Sequence, residues 1–316
     1  MKALVLNTDG LRFEPDRPEP VVPDGSTRVK VIQAGICETD LQLVKGYMGF
    51  TGVLGHEFVG VAESGPLAGH RVVGEINCIC GSCALCDRGL GNHCPNRTVI
   101  GILNHDGAFA DSLIVPNANL FRVPDDMSDD LATLVEPVAA ALQIPEQMEL
   151  VPKSKAVVLG DGRLGNLCAQ VLRSEGCCVT VVGKHRTKLQ RLVRQDFETV
   201  ELVDVQPDRD ADVVVDCTGS DSGLELALQL VRPRGTVVMK TTVAGNHNLS
   251  MAAIVIDEIT LLGSRCGPFD KAIAAIQNNQ IDLTDFISAR YALSQYEEAF
   301  KHAMAPDALK VVFELE

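Results

Sequence analysis

The chain has no run of lysine and arginine, and no apolar stretch near the ~18–20 residues of a membrane-spanning helix. The first absence argues against nucleic acid and anionic membranes as partners, because phosphate-rich surfaces are bound through a clustered basic face. The charge balance agrees, with 28 Lys and Arg against 42 Asp and Glu and a formal charge of −14. No internal repeat or low-complexity tract breaks the pattern, and 46% hydrophobic with 22% charged residues is the ordinary globular range. Met1–Asn7 reads as a short strand and lacks the length of a secretion signal, so the expected location is the cytoplasm. What is present is length, 316 residues or about two domains, and 11 cysteines. In a cytoplasmic chain those thiols read as metal ligands or buried hydrophobes rather than disulfides.

The first third is rich in turns, with short apolar runs at Ala3–Leu6, Val29–Gln33, Val59–Glu63, Arg71–Glu75 and Ser112–Val115 cut by Gly, Pro and Asp. That pattern predicts a partly open β-barrel. Helical spacing follows from Asp129 to Leu142 after Ser128, with two acids in the first turn. Beyond Pro152 strands alternate with helices: Ala156–Leu159, Val179–Val182, Val200–Val203, Val213–Cys217, Thr236–Met239 and Ile259–Leu262 are the strand segments. Leu164, Leu167, Cys168, Val171 and Leu172 form one helical face. Repeated β–α alternation predicts a doubly wound α/β sheet of parallel strands. The segment from Ile287 to Glu316 returns to helix plus strand and is expected to rejoin the first domain.

Gly160-Asp161-Gly162-Arg163-Leu164-Gly165 places a G-x-G-x-x-G between a strand and a helix. In that setting glycines allow a tight turn and close approach of backbone to a pyrophosphate, which the helix N-terminus attracts. The alternative is a plain glycine-rich turn. NAD sites usually carry an acid ~20 residues after the motif. Twenty residues past Gly165 is His185, in Gly183-Lys184-His185-Arg186, and no carboxylate stands there. Lys184, His185 and Arg186 cluster where a 2′-phosphate would lie, which predicts NADP(H) over NAD(H). The competing reading is a solvated basic helix start. Thr218, after one strand, and Lys240, Thr241 and Thr242, after another, fall at the sheet edge where such folds bind ligands. Their backbones are expected against the nicotinamide half.

Cys80, Cys83, Cys86 and Cys94 lie within a short stretch. Four thiolates so spaced close a tetrahedron around Zn²⁺ with no open position, hence a structural site, with an iron–sulfur cluster as a remote competitor. Cys78, Cys168, Cys177, Cys178, Cys217 and Cys266 are expected to be buried.

Three further fragments, Gly35-Ile36-Cys37-Glu38-Thr39-Asp40, Gly55-His56-Glu57 and Leu134-Val135-Glu136-Pro137, are weak alone. Together with the four cysteines and the glycine turn, in that order, they resemble the zinc-containing medium-chain dehydrogenase/reductase family, the alcohol dehydrogenase superfamily. The resemblance covers essentially the whole chain, and the Glu-Pro form is most similar to the polyol, threonine and glucose dehydrogenase branches. It implies a GroES-like β-barrel catalytic domain from residues 1–122 and 286–316, with a Rossmann domain, 123–285, inserted. It implies Cys37, His56 and Glu136 as catalytic zinc ligands, Glu57 as a fourth or exchanging ligand, Thr39 as the hydroxyl that passes the substrate proton, and Asp40 as the group orienting His56.

The expected function is therefore a zinc-dependent oxidoreductase with two zincs per chain, moving hydride between an alcohol or carbonyl and NADP(H). Cys⁻, neutral His and a carboxylate leave a coordination position open, where zinc acidifies an alcohol or polarises a carbonyl. Tyr47, Met48 and Phe50 are candidate substrate contacts, with ordinary packing the equal alternative; His105, in Asn104-His105-Asp106-Gly107, is a further one. Family members are usually dimers or tetramers, so a homodimer or homotetramer is expected. One departure is Gln42, where relatives commonly carry a His that ends the proton relay; Gln cannot titrate, so the relay would end in water. The rival readings are a zinc-independent quinone or enoyl reductase of the same superfamily and a non-catalytic NADPH-binding sensor.

Overall fold

The computed structural model describes residues 1–241 and 251–315. They form two compact units. The first comprises Met1–Glu136, Phe269–Gln277 and Leu283–Glu316; the second comprises Pro137–Pro268 and Asn278–Asp282. The first unit thus runs past 122 to Glu136 and takes in a helix, Phe269–Gln277, that the sequence places in the Rossmann segment.

The first unit is built around the strand Ser26–Gly35, whose residues alternate between buried and open along much of its length, as a strand with one solvated face does. Glu57–Ala62, Ser112–Pro116 and Lys310–Glu314 all pair antiparallel with it. Ser112–Pro116 takes its first half, Ser26 to Lys30, and Lys310–Glu314 its last residues, with Val312 opposite Gly35. Arg71–Gly74, Leu120–Arg122 and Ile287–Ala292 complete a seven-stranded sheet. The C-terminal segment therefore does rejoin the start of the chain. Its Phe313 packs edge-on to Phe109, with ring centroids 5.0 Å apart in the core.

The second unit is a six-stranded parallel sheet. Its strand order is Glu198–Glu201, Cys178–Gly183, Lys155–Leu159, Ala211–Asp216, Val231–Met239, Thr260–Gly263. The order reverses between Lys155–Leu159 and Ala211–Asp216, and a doubly wound sheet binds ligands in the crevice at that switch point. The central strands are near-continuous Val, Ala and Leu runs, because helices such as Arg163–Ser174 cover them.

Three local expectations need correction. The helical pattern from Asp129 to Leu142 is two helices, Asp129–Thr133 and Val135–Gln147, broken at Leu134. Ser128 does cap the first, accepting the Leu131 N–H at 3.3 Å. The strand expected at Val200–Val203 is Glu198–Glu201, and Val203 is exposed in the following turn. Of the six cysteines expected to be buried, Cys178 is exposed and Cys217 half-buried, both at strand ends.

Candidate active site

Cys37 is the N-cap of the helix Glu38–Val44. Asp40, three residues on, reaches back so that its Oδ2 accepts the Cys37 N–H at 2.8 Å, closing one half of a capping box. The other oxygen, Oδ1, accepts the Gly55 N–H at 3.2 Å. One buried carboxylate thus ties together the backbones that carry Cys37 and His56. Asp40 Oδ1 also lies 3.5 Å from His56 Nδ1, within ion-pair range. His56 is buried, and among the described residues its Nδ1 has no hydrogen-bond partner. Asp40 therefore occupies the Nδ1 side of the ring, and Nε2 is the nitrogen left for a ligand.

Glu57 opens the strand Glu57–Ala62. A ligand atom from each of Cys37, His56 and Glu57 lies within 4.8 Å of the other two. A thiol, an imidazole and a carboxylate so close, with the ring's Nε2 left for a ligand, fit a divalent cation of the zinc type. Burial alone would lower the His56 pKa, but Asp40 and Cys37 outweigh it and hold it well above the usual value. Glu136, at the end of the first unit's N-terminal segment, is not part of this three-residue group. Its carboxyl is pushed up to about 7 by burial, countered by His56 and reinforced by Glu57. The geometry thus groups Glu57 more tightly with Cys37 and His56 than it does Glu136.

Lys310, absent from the sequence argument, completes the surroundings. It is 1% exposed, and its ammonium pairs with Glu57 and donates to the Ile36 carbonyl at 3.2 Å. Gly35 makes the room: a Cβ there would lie 2.6 Å from Glu57 Oε2 and 3.1 Å from the Lys310 chain. The available signal was a lysine opening an apolar run, Lys310-Val311-Val312-Phe313.

The Thr39 hydroxyl is 3.8 Å from Cys37 Sγ. The Gln42 amide donates to Glu38 Oε1 at 2.8 Å, along the helix surface. Tyr47 is half-buried, Met48 is exposed and Phe50 is buried. His105 is half-buried, its Nδ1 2.8 Å from the Asp106 carbonyl. None of these four joins the ligand cluster.

The second cluster is all sulfur. Its Sγ separations are 4.0 Å for Cys80–Cys86, 3.5 Å for Cys83–Cys86, 3.7 Å for Cys83–Cys94 and 3.5 Å for Cys80–Cys94. Four sulfurs at the usual Zn–S bond length stand ~3.8 Å apart along a tetrahedron's edges. Hydrogen bonds, first from the Ser82 backbone, lower the Cys80 thiol to about 6.

In the second unit the glycine turn closes tightly. Gly160 has φ 118°, and a Cβ there would stand 2.7 Å from the Cys217 carbonyl oxygen; one on Gly165 would meet the Gly160 oxygen at 2.0 Å. Gly162 caps the helix Arg163–Ser174, with Arg163 and Leu164 half-buried in its first turn. Thr218 and Thr241 both hydrogen-bond the buried Asp216 carboxylate, at 2.8 Å and 3.2 Å. The Lys240 ammonium is engaged inside the unit, by the Ala140 carbonyl and by Ser264 Oγ at 2.9 Å. Thr242 lies outside the described residues.

The basic trio divides. Lys184 is exposed, Arg186 pairs with Glu201 at 2.6 Å, and His185 is held by a carboxylate, Asp161 Oδ1, 2.9 Å from its Nδ1. No carboxylate stands at this place along the chain; the acid arrives from inside the glycine turn.

Residues 23–125 match the family model of the alcohol dehydrogenase GroES-like domain, and residues 164–280 that of zinc-binding dehydrogenases. A sorbitol dehydrogenase of Halalkalibacterium halodurans is 26% identical, with 99% of this chain and 98% of that protein covered. An L-threonine 3-dehydrogenase of Deinococcus radiodurans is 27% identical, covering 91% and 90%. The solved structure of a zinc-binding dehydrogenase from Sinorhizobium meliloti bound to NADP is 28% identical, covers 99% of this chain and 98% of that one, and has a TM-score of 0.87.

Proposed function

Because this chain belongs to the zinc-containing medium-chain dehydrogenase/reductase family of the alcohol dehydrogenase superfamily, we propose that it is a zinc-dependent alcohol dehydrogenase or carbonyl reductase that prefers NADP(H). The observation that carries this reading is the convergence of Cys37, His56 and Glu57 within 4.8 Å. A bound zinc would supply Lewis-acid chemistry there, acidifying an alcohol or polarising a carbonyl. Cys37 and His56 would hold it, with Glu57 and Glu136 as the carboxylates; Cys80, Cys83, Cys86 and Cys94 would hold a second, structural zinc.

The chain's own residues do the rest. Asp40 fixes the Cys37 and Gly55 backbones and stands beside the His56 ring. The Thr39 hydroxyl, close to Cys37, accepts the substrate proton. Gln42 is turned toward Glu38 and has no titratable group, so the proton leaves to water. In the second unit the glycine turn takes the pyrophosphate on the helix N-terminus. A nicotinamide cofactor held there would supply hydride chemistry at its C4.

Sorbitol and threonine dehydrogenases among the relatives support a small, polar, hydroxylated substrate. On this reading the enzyme works in the cytoplasm as a homodimer or homotetramer. No described helix is long and apolar enough to cross a membrane.

A cofactor-paired screen of alcohols and aldehydes on zinc-replete protein, read at the nicotinamide absorbance with metal analysis alongside, tests this. Two zincs per chain and turnover lost on chelation are expected. Turnover that survives chelation favours the zinc-independent reductase, and binding of NADPH with no turnover on any substrate favours the sensor.

A further inference from the structure

The strand Cys178–Gly183 ends where a dinucleotide fold usually presents an acid to the adenosine ribose. Here the strand ends in glycine, and the space beside Gly183 is filled by Asp161. A Cβ on Gly183 would lie 2.5 Å from Asp161 Oδ2 and 2.6 Å from its Cβ. A side chain at 183 and the acid at 161 as placed are therefore mutually exclusive: the carboxylate beside this strand end is supplied by the glycine turn.

Once there it is not open to a ribose hydroxyl. Asp161 Oδ2 accepts the Lys184 N–H at 2.7 Å and the His185 N–H at 2.6 Å, and Oδ1 lies 2.9 Å from His185 Nδ1. The side chain is largely buried. An ionised carboxylate only accepts, so Nδ1 carries a proton toward Asp161 and Nε2 is the ring atom left for a ligand. The imidazole itself is 39% exposed, and His185 is the N-cap residue of the helix Arg186–Arg194. Arg186 is committed to Glu201. That leaves His185 as the pre-oriented member of the basic trio.

We propose that Asp161 and His185 form the reader of the adenosine 2′ position, with Asp161 the positioning residue and His185 Nε2 the contact for the 2′-phosphate of NADP(H). This rests on the cofactor preference proposed above and names the pair that sets it. With Nδ1–H held by Asp161, the bond to a phosphate oxygen needs a second proton, carried on Nε2 by the imidazolium or brought by the phosphate as its monoanion, and it is charge-assisted, whereas a ribose hydroxyl offers only a neutral one. The ring, held from behind, gives up little side-chain freedom on binding.

The test compares dissociation constants for NADPH and NADH by fluorescence titration of the zinc-loaded protein. Wild type should bind NADPH at least tenfold tighter. His185→Asn should cut that ratio about tenfold, almost wholly through NADPH. Asp161→Asn keeps an oxygen for the two backbone N–H groups but no longer holds Nδ1–H. It should lower the ratio similarly, and the ¹⁵N signature of His185, assigned by comparison with His185→Asn, should lose its Nδ1-protonated pattern. The double variant Asp161→Gly/Gly183→Asp returns the acid to the strand end and should favour NADH. It also serves if Asp161→Asn fails to fold. If wild type prefers NADPH but His185→Asn and the double variant keep its ratio, the reader is wrong and the cofactor preference stands. If wild type binds NADH tighter, both fall.

Discussion

The first unit contains two clusters of metal-ligand type, and they are built on opposite principles. Cys80, Cys83, Cys86 and Cys94 are four identical ligands close along the chain, with Cys80 exposed and Cys83 and Cys86 half-buried. All four come from one short stretch of chain, where Cys94 is buried. Cys37, His56 and Glu57 come from a helix cap and a strand start, two of the three are fully buried, and Asp40 and Lys310 stand behind them. A closed set of sulfurs needs only its own spacing. An incomplete, mixed set needs surroundings that hold each ligand with the last position unfilled. The difference assigns stability to one cluster and chemistry to the other, and it is open to direct attack.

The heaviest blow separates the two roles. Cys37→Ala or His56→Ala should lower turnover by on the order of a thousandfold or more, the scale of losing a Lewis acid worth several kcal/mol. NADPH affinity, measured by fluorescence, should stay within about threefold, because the cofactor turn lies in the other unit. A variant that keeps turnover would move the chemistry away from this cluster.

Next comes the buried pair behind it. Lys310→Met strands the Glu57 carboxylate in the core, and breaking such a pair typically costs ~3–5 kcal/mol. Denaturant melts of the chelated protein should show that loss, and Lys310→Met/Glu57→Gln should recover most of it. If the single variant melts like wild type, Lys310 does not anchor Glu57.

Cys83→Ser tests the other cluster. It should reduce bound zinc from two to one per chain and cost about 2–3 kcal/mol, seen as a fall of several degrees in Tm. Turnover per folded molecule should stay within about twofold. A thousandfold loss of turnover with unchanged Tm would erase the contrast.

The two clusters were also unequally legible. The four cysteines announce themselves because their geometry is local, and the glycine turn does so because strand, turn and helix are contiguous. Cys37, His56 and Glu57 were found only through likeness to a family, since nothing in a lone Gly-His-Glu requires a metal. Lys310 was not found, because its partner lies 253 positions away and a lysine in an apolar strand reads as pointing to water. Asp161 was passed over as a free position inside a motif, although it bonds residues 23 and 24 positions on. The break at Leu134 was hidden because the helical period runs on across it. Periodicity and spacing report what neighbours along the chain do; long-range polar pairing leaves no such trace.

The smallest effect supplies a control for the buried pair. Arg290 and Asp130 make a two-pronged bridge at 2.6 and 2.7 Å in the same unit, but with side chains 39% and 41% exposed. Hydrogen bonding to Arg290 holds the Asp130 carboxyl below its ordinary value. A depressed carboxylate stabilises the fold above its unfolded pKa, near 4, and that contribution is lost as pH falls through the lower folded value. Asp130→Asn should therefore cost under about 1 kcal/mol at pH 7, since water screens the pair, and wild type and variant should converge below about pH 3. Equal losses from Asp130→Asn and Lys310→Met at neutral pH would mean that burial does not distinguish the two pairs.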